Sequence, residues 1–544
     1  MIRIFPVWRT WVAHNGAPMS VRRAGRRAAL VLPMLLWLAC GQVYRPVVIP
    51  CSTGGVPGCP VETNPKPSNY HAVLGISTNI PGYSGGAMQI DVSGDAVVGE
   101  TSISTANAPN SGLNPTHAAI LPSDARVFVA SAGSVFPGGM DSVSSFSPVF
   151  PSTLASGLGA VSTVGLPAGS LPDFVNTTQT NAVYVANFGT NSISVVDTTS
   201  NLVSNTATVG TNPVSMAETP NALKIYVANQ GSNTVSSLNA VDLSANTVTG
   251  FTGVTPVWVL ARADSQKVYV LTQGDGQLVT IDVATDTVTS SLPVGAGANF
   301  IFFDPNLNRL YVTNPATGTV YVFSDTSVAS DTPTLLAQLT ISGLTTTTTP
   351  VCSTCGAAFP ASVTALLDGS RFYVASYQSA SSCPDPVIGA ASACVIPTLT
   401  VFNANTLAPM YGNASTMTLL TWPAPCTPTS TTHCPVTNWP FTTNQYAVAP
   451  LTSCATAATY SPTTTRFRVF TVAAEDSSRV YMSMCDAGAV AVVNTTDSNA
   501  NNSAGGRPAD TLVNDLLAPY SAGAAQPNTA EPSPQSPIFL WMGQ

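Results

Sequence analysis

The chain has 544 residues, of which 44% are hydrophobic and only 8% are charged. A typical soluble domain is about 25% charged, so Lys, Arg, Asp and Glu do not build most of this surface. The formal net charge of −8 argues against a nucleic-acid partner, because phosphate binding needs a basic surface. Ser, Thr and Asn supply the polarity, and with 40 Gly and 44 Pro they favour strands and turns over helices.

The N-terminal segment has the features of an export signal. Four arginines between residues 22 and 27 precede the apolar run Ala28–Ala39. This run is too short to span a membrane and fits the apolar region of a secretory signal. We predict a signal peptide over residues 1–39, with Met19 as an alternative start.

The signal ends at a cysteine. The residues Leu38-Ala39-Cys40-Gly41 resemble the cleavage site of a bacterial lipoprotein signal. Trp37 departs from that pattern, because such signals usually carry an aliphatic residue there. The resemblance implies several acyl chains on Cys40, as stable anchoring requires more than one. The alternative is an ordinary signal peptide with a coincidental cysteine.

A Pro- and Gly-rich stretch over residues 40–69 follows and is typical of a tether. Seven of the 18 basic residues lie at or before Arg45, whereas all 26 acidic residues lie after Cys40. The chain from Cys40 onward therefore carries a formal charge of −14, and the export signal conceals how acidic the mature protein is.

Internal repeats dominate residues 70–544. A short strand with a central aromatic residue recurs, as in Lys224-Ile-Tyr-Val-Ala-Asn229. Three consecutive separations between these aromatic residues are 42, 43 and 42 residues, which marks a repeat architecture. The seven anchor residues, as we call them, are Phe128, Tyr184, Tyr226, Tyr269, Tyr311, Tyr373 and Tyr481.

Each regular repeat predicts four short antiparallel strands. An apolar strand such as Pro256–Ala261 precedes the anchor strand, and a Gly- and Asn-rich turn follows it. An alternating strand, an Asp-containing turn and a last short strand complete the unit. Four strands in about 42 residues are the blade of a β-propeller.

The Tyr-Val-Ala-Asn and Tyr-Val-Thr-Asn anchors resemble the YVTN β-propeller repeats of bacterial and archaeal surface proteins, most strongly over residues 110–325. The resemblance implies a propeller outside the cytoplasm. It implies no single activity, since related propellers include lactonase-like and surface-layer proteins.

Seven anchors predict an all-β, seven-bladed propeller of four-stranded blades. We expect strands from both chain ends to close the ring, with Ala87–Val92 and Ala96–Val98 as late blade strands and Ile538–Trp541 as an outer strand. Arg466–Val472 reads as the first strand of the Tyr481 blade, and insertions are predicted around residues 325–365 and 403–465.

Eleven cysteines accompany the irregular regions. If Cys40 carries lipid, ten remain, and an exported chain sits where disulfides persist. Cys352-Ser-Thr-Cys355 reads as a structural disulfide, since the context for a redox or zinc motif is missing. Pairing of near neighbours, which sequence alone does not fix, gives Cys51–Cys59, Cys352–Cys355, Cys383–Cys394, Cys426–Cys434 and Cys454–Cys485.

The catalytic inventory is small. The four histidines, His14, His71, His117 and His433, are scattered, so neither a metal site nor a cofactor is predicted. Candidate ligand-binding residues at the channel mouth are His117, Glu218 and Arg262. Glu218 and Arg262 end the innermost strands of adjacent blades, where they either pair with each other or face a ligand.

These features favour an exported lipoprotein of the cell envelope, placed at the outer membrane through lipid on Cys40. We expect it to act as a binding or structural module with a protein or glycan ligand. The alternative is a lactonase-like hydrolase with its active site at the channel mouth. A self-assembling envelope component is the third hypothesis.

Overall fold

The computed structural model describes residues 72–542 with gaps. Several predictions concern residues outside the described part: the signal peptide, the tether, Cys40, Cys51, Cys59, Cys383, Cys426, Cys434, His14, His71 and His433. The gaps are 79–84, 93–94, 106, 122–125, 149–159, 178–181, 326–331, 349–351, 382–392, 412–415, 419–453, 456–458, 464, 497–508, 518–519, 526–531 and 535.

The described strands form eight four-stranded antiparallel sheets and one two-stranded sheet. The fold is an all-β propeller, as predicted, but it has eight blades, and the prediction of seven was wrong. Blade 1 joins strands from the two ends of the chain, while blades 2 to 8 each use four consecutive strands.

The strands follow one another in a regular order. Blade 1 contains β1 (Ala72–Thr78), β2 (Gly86–Asp91), β3 (Ala96–Ser102) and β34 (Ser536–Met542); blade 2, β4 (Pro115–Ile120), β5 (Val127–Ala132), β6 (Asp141–Phe146) and β7 (Ser162–Gly165); blade 3, β8 (Pro172–Thr177), β9 (Ala182–Asn187), β10 (Ser192–Asp197) and β11 (Leu202–Thr208); blade 4, β12 (Pro213–Glu218), β13 (Lys224–Asn229), β14 (Thr234–Asn239) and β15 (Ala245–Thr247). Blade 5 contains β16 (Pro256–Ala261), β17 (Lys267–Thr272), β18 (Gln277–Asp282) and β19 (Thr287–Pro293); blade 6, β20 (Phe300–Asp304), β21 (Arg309–Asn314), β22 (Thr319–Ser324) and β23 (Thr334–Thr340); blade 7, β24 (Cys355–Ala365), β25 (Arg371–Ala380), β26 (Cys394–Asn403) and β27 (Thr416–Thr418); blade 8, β28 (Val469–Ala473), β29 (Arg479–Met484), β30 (Ala489–Asn494) and β31 (Thr511–Leu517). The two-stranded sheet contains β32 (Tyr520–Ala525) and β33 (Pro532–Pro534).

The eight innermost strands form a closed cycle around a central channel. In order they are β34, β4, β8, β12, β16, β20, β24 and β28, and each contacts the next, with β28 meeting β34 again. The first predicted insertion, around residues 325–365, contains two blade strands, β23 and β24. Each inner strand pairs only with the second strand of its own blade, so its other edge faces the channel and is protected there.

The C-terminal strand β34 is the innermost strand of blade 1, so its prediction as an outer strand was wrong. It pairs with β1 and contacts β4 and β28 on either side. Its residues Ile538, Phe539 and Leu540 are all buried. An outer strand such as β11 is mostly exposed, and a continuous apolar run gains more from the buried inner position.

The eighth blade escaped the repeat count because its second strand carries no aromatic anchor. Ala72 pairs with Asp91 as Lys224 pairs with Asn239, so Leu74 holds the register position of Tyr226. In the other blades the anchor is a large buried side chain, and five of the anchor tyrosines are almost fully buried.

Five of the described hairpins between second and third strands end their turn in a residue that tolerates positive φ. Asn191, Asn233, Gly276, Gly318 and Gly488 occupy this position, with φ between 55° and 66°. Asn and Gly adopt this left-handed conformation at little cost. The repeat therefore selects them for backbone geometry.

Side chains of the anchor strand join one blade to the next. Lys224 forms an ion pair of 2.8 Å with Asp286, which immediately precedes the fourth strand of the next blade. Tyr226 donates its hydroxyl to the same carboxylate over 2.5 Å. Arg371 holds Asp510 of blade 8 at 2.7 Å, and the Tyr373 hydroxyl also donates to it. We call this arrangement the interblade clasp.

The same clasp closes the ring. Arg479 of blade 8 binds Asp95 of blade 1 through two parallel hydrogen bonds of 2.8 and 2.9 Å. Asp95, like Asp286 and Asp510, precedes the fourth strand and has positive φ. Blade 1 thus accepts a clasp from blade 8. Its own second strand has Ala72 and Leu74 at the positions from which other blades form a clasp.

Two disulfides are described in full, Cys352–Cys355 and Cys454–Cys485, and both join predicted neighbours. Cys394 is also disulfide-bonded. These cysteines lie in or beside blades 7 and 8, where the blades depart from the regular repeat length. Within the described residues, no helix is both long and apolar enough to span a membrane.

Candidate functional site

The inner strands place one residue each at the same level of the channel. In every blade this residue pairs with the second-strand residue two positions beyond the anchor position, as Ser215 pairs with Ala228. We call these eight residues the channel ring: Phe539, His117, Phe174, Ser215, Trp258, Phe300, Ser362 and Phe470, in order of blades 1 to 8.

Six members of the channel ring carry aromatic side chains that contact one another. His117 stacks on Phe174 with ring centroids 3.9 Å apart and meets Phe539 at 4.5 Å. Phe539 contacts Phe470 at 4.7 Å, and Phe470 contacts Phe300 at 5.6 Å. All six are buried. Aromatic packing therefore fills the channel at this level.

At each of the two serine positions, the aromatic rings of the two flanking blades contact each other. The ring of Phe174 lies 5.8 Å from that of Trp258, on either side of blade 4. Ser215 accepts a hydrogen bond from the Val259 amide of the next blade at 3.1 Å. Ser362 accepts one from the Thr471 amide at 3.0 Å. Both hydroxyls satisfy backbone donors at blade interfaces.

His117 is the titratable member of the channel ring. Its Nδ1 lies 3.1 Å from the carbonyl oxygen of Val175 in the next blade, so this nitrogen donates. Burial lowers the pKa of His117 well below its ordinary value, and the charge of Arg466 lowers it further. The imidazole is therefore neutral at pH 7.

One end of the channel is covered by residues 454–455, 459–463 and 465–467, which we call the cap. It lies at the upper end of the ring, where the inner strands begin. Tyr460 and Gln230 exchange two hydrogen bonds of 2.9 and 3.0 Å, and the Tyr460 hydroxyl donates to the carbonyl oxygen of Asn299. Asn114 donates to Pro462. Loops of three blades thus hold the cap.

The cap inserts Arg466 into the channel mouth. Its guanidinium lies 3.0 Å from the carboxylate of Asp173, and both side chains are at least nine-tenths buried. The same nitrogen donates to the carbonyl oxygen of Val214. Burial raises the pKa of Asp173, an effect that Arg466 opposes. Arg466 thus partners a carboxylate that would otherwise be buried alone.

Glu218 and Arg262 lie at the other, lower end of the ring. Glu218 is three residues beyond Ser215, about 10 Å along an extended strand, and Arg262 is four residues beyond Trp258, about 13 Å. Arg262 forms ion pairs with Asp264 at 2.8 Å and with Asp325 of blade 6 at 3.3 Å.

Glu218 faces the preceding blade. Burial, together with the charge of Glu218, raises the pKa of Tyr184 to about 12. The structure therefore does not bring His117 to the same level as the two charged candidates. Whether any of the three binds a ligand stays a prediction.

Sequence reasoning missed the residues that converge at the upper end: Tyr460, Arg466 and Phe467. It read Arg466–Val472 as a strand, whereas β28 begins at Val469. A signal was present, since an arginine is unusual in a chain with 8% charged residues, and this one lies three residues before the inner strand β28. Among the described residues no group of three or more His, Cys, Asp or Glu side chains forms a metal site.

A scan against protein-family models finds none that matches, and a search of curated proteins finds no match. Solved structures do resemble this chain. The periplasmic gluconolactonase PpgL of Pseudomonas aeruginosa is 11% identical with a TM-score of 0.44, covering 87% of this chain and 99% of that one. A putative 6-phosphogluconolactonase from Bacteroides uniformis is 12% identical with a TM-score of 0.42, covering 64% and 96%.

The dihydro-heme d1 dehydrogenase NirN, solved in complex with DHE, is 10% identical with a TM-score of 0.49 and covers 85% of this chain and 77% of that one. The assignment of a β-propeller fold to this chain rests on the strand pairing described above.

Proposed function

We propose that this protein is an exported lipoprotein of YVTN type, anchored through Cys40, whose ring acts as a binding or structural module of the cell envelope. The observation that carries the proposal is the filled channel. Aromatic side chains from six blades pack together at its centre, and the cap covers its upper end. Such an interior stabilises a rigid ring that presents its outer faces to a partner.

The disulfides support the exported location. Cys352–Cys355 and Cys454–Cys485 are bonded, and Cys394 has a disulfide partner as well. Disulfides persist in the periplasm and at the cell surface and are rare in the cytosol. The acidic mature chain and the signal-like N-terminus are consistent with the same location.

The lactonase-like alternative is less favoured by the geometry. Hydrolysis of a lactone needs a general base or an activated water within hydrogen-bond reach of the substrate. His117 donates through Nδ1 to a backbone carbonyl, so only its Nε2 can act as a base. The ring is buried between Phe174 and Phe539, so a substrate would have to part this aromatic packing to reach it. Arg262 is held by two carboxylates at a different level.

Membrane fractionation tests the anchor. The Cys40→Ser variant should move from the membrane fraction to the soluble periplasmic fraction, because it lacks the thiol that carries the lipid. Cys51→Ser is the matched control, since it removes a neighbouring cysteine and should leave fractionation unchanged. Equal membrane association of wild type and Cys40→Ser would contradict the anchor.

The released Cys40→Ser protein also separates a binding module from a self-assembling component. Size-exclusion chromatography should show a discrete species for a binding module. A broad distribution of large particles would instead support self-assembly of the envelope component.

A hydrolysis assay tests the alternative. Purified protein, incubated with aldonolactones and aryl esters in a pH-stat, should consume no more base than buffer alone. His117→Phe is the matched variant, because it places in blade 2 the residue type found at the same level in four other blades. Turnover by the wild type that disappears in His117→Phe would favour a hydrolase.

A further inference from the structure

The channel mouth has the chemistry of a binding site for an organic cation. We propose that it is a guanidinium- or ammonium-binding cage, which the chain occupies with its own Arg466, and that a cationic group of a ligand takes this place when the cap is released. The inference extends the binding role proposed above. Only the statement that a biological ligand enters the cage rests on that role.

Aromatic faces form the walls of the cage. The guanidinium carbon of Arg466 lies 3.9 Å from the ring centroid of Tyr460. It lies 5.4 Å from the rings of both Phe174 and Trp258. A cation within about 6 Å of an aromatic centroid is attracted by the negative face of the ring, and most strongly where water is excluded. Three rings around one charge are the arrangement that recognises organic cations.

A carboxylate forms the acidic part of the cage. Asp173 is 5% exposed and lies 3.0 Å from the Arg466 guanidinium. The Val214 carbonyl oxygen accepts a second hydrogen bond from the same nitrogen. A carboxylate buried this deeply is unfavourable without a cation beside it. The cage therefore selects positive charge over a neutral side chain.

Arg466 does not use all its hydrogen-bonding capacity in the cage. Its Nε and Nη1 atoms are buried and have no hydrogen-bond partner among the described residues. Buried donors are rarely left unpaired. The cage thus recognises one hydrogen-bond donor group together with a flat or compact positive charge. A substituted ammonium group meets these requirements as well as a guanidinium does.

The cap that delivers Arg466 lies outside the blade strands. It precedes β28 and is attached to blade 8 through the Cys454–Cys485 disulfide. Its polar contacts besides those of Arg466 include loop residues Gln230, Asn299 and Asn114. Phe467 of the cap also packs on aromatic rings of the channel ring. Displacing the cap would uncover Phe174, Trp258 and Asp173. The negative charge of the mature chain would steer cations towards the ring.

A rescue experiment on the purified full chain tests the cage. Arg466→Ala should lower the Tm, and methylguanidinium or tetramethylammonium chloride should restore most of the loss while sodium chloride at equal concentration does not. Arg466→Met is the matched control, because its side chain fills the cage and should prevent rescue. In the double variant Asp173→Asn/Arg466→Ala, the apparent affinity for methylguanidinium should fall about 10-fold.

Equal effects of methylguanidinium and sodium on Arg466→Ala would overturn the cage, as would an unchanged affinity in the double variant. If Arg466→Ala does not fold alone, its refolding yield in each salt becomes the readout. Selective recovery in methylguanidinium then supports the cage, and equal yields overturn it. Failure here leaves the fractionation and hydrolysis results standing, so the two proposals fail separately.

Exchange at the native site is tested by opening the cap. The variant Cys454→Ala/Cys485→Ala should bind N-acetyl-arginine amide at least ~10-fold more tightly than the wild type in isothermal titration calorimetry, because the competing Arg466 is less firmly held. N-acetyl-citrulline amide, its uncharged isostere, should not bind. Equal affinity of the two chains for N-acetyl-arginine amide, or equal binding of both amides, would overturn the exchange.

Discussion

Blades 3 to 6 form one arc of the ring, and blades 7, 8 and 1 form another. The two arcs differ in the regularity of their blades and in the contacts that hold them. In the first arc the strands are short and regular, the anchors are 42 or 43 residues apart, and residues 184–311 contain no cysteine. In the second arc β24 and β25 are 11 and 10 residues long. Two described disulfides and the cap also lie there.

The contrast shows what a repeat can specify and what it cannot. The regular blades carry their own hairpin turns, and blade 4 clasps its neighbour through Lys224 and Tyr226 on Asp286. Closing the ring needs a strand from the far end of the chain and covalent links that hold inserted segments. The second arc should therefore be the more sensitive to single changes.

The largest effect is expected from removing β34. A chain ending at residue 535 lacks the inner strand of blade 1 and exposes apolar surface of β1, β4 and β28. We expect loss of cooperative thermal unfolding by circular dichroism and poor solubility. A chain ending at residue 542 is the control and should unfold like the wild type. A cooperative transition in the shorter chain would show that seven blades close without it.

The next largest effect concerns the two disulfides. The Cys454–Cys485 bridge closes a loop with a sequence separation of 31, whereas Cys352–Cys355 spans 3. The chain-entropy relation predicts losses of about 3.7 and about 1.6 kcal/mol in the free energy of unfolding. Paired alanine substitutions at each bridge, compared by urea unfolding, measure the difference. A larger loss at Cys352–Cys355 would contradict the ranking.

The two clasps are compared next. Arg479→Met leaves Asp95 without its two hydrogen bonds, at a cost of about 3 kcal/mol. Lys224→Met should cost about 1 kcal/mol, because Tyr226 still donates to Asp286. Urea midpoints of both variants measure the contrast.

A double-mutant cycle with Asp95→Asn assigns the Arg479 effect to the pair. Asn tolerates the positive φ of this position. Equal losses of unfolding free energy in Arg479→Met and Lys224→Met would contradict the expected difference between the ring-closing interface of blades 8 and 1 and the internal interface of blades 4 and 5.

The smallest effect is a pH dependence. Burial lowers the pKa of His117 in the folded protein, so protons bind more readily to the unfolded chain. The stabilisation is complete above the unfolded value of about 6.5 and is lost as the pH falls below it, by at most about 1.4 kcal/mol per pH unit. His117→Phe should flatten this slope between pH 7.5 and 5. An identical slope in wild type and variant would exclude His117 as its source.

Much of the propeller follows from local pattern. The anchors, the turns ending in Asn191 or Gly276, and the inner strand Pro256–Ala261 repeat within one blade, so a single copy predicts the others. The blade count failed because Leu74 occupies the anchor position of blade 1, whose inner strand comes from the far end of the chain, where Leu74 pairs with Trp541. The apolar run Ile538–Trp541 could have indicated an inner strand, since outer strands here are polar.

The candidate site was less predictable for the same reason. His117 was correctly placed on an inner strand, but its neighbours Phe174 and Phe539 come from other blades. Arg466 meets Asp173 across 293 residues of sequence. No periodic pattern records which side chains face one another across a channel, because that depends on the number of blades and on the path of the cap.

The pairing of Val73 with Met542 also sets an order of events during synthesis. The first blade strand to be synthesised, β1, cannot pair with β34 until that strand has been made. Until then the growing chain is an open arc with an unpaired edge at each end. Pairing over such a sequence distance is slow, and exposed strand edges can pair with other chains in the meantime. The yield of closed rings therefore depends on how fast the final residues arrive and dock.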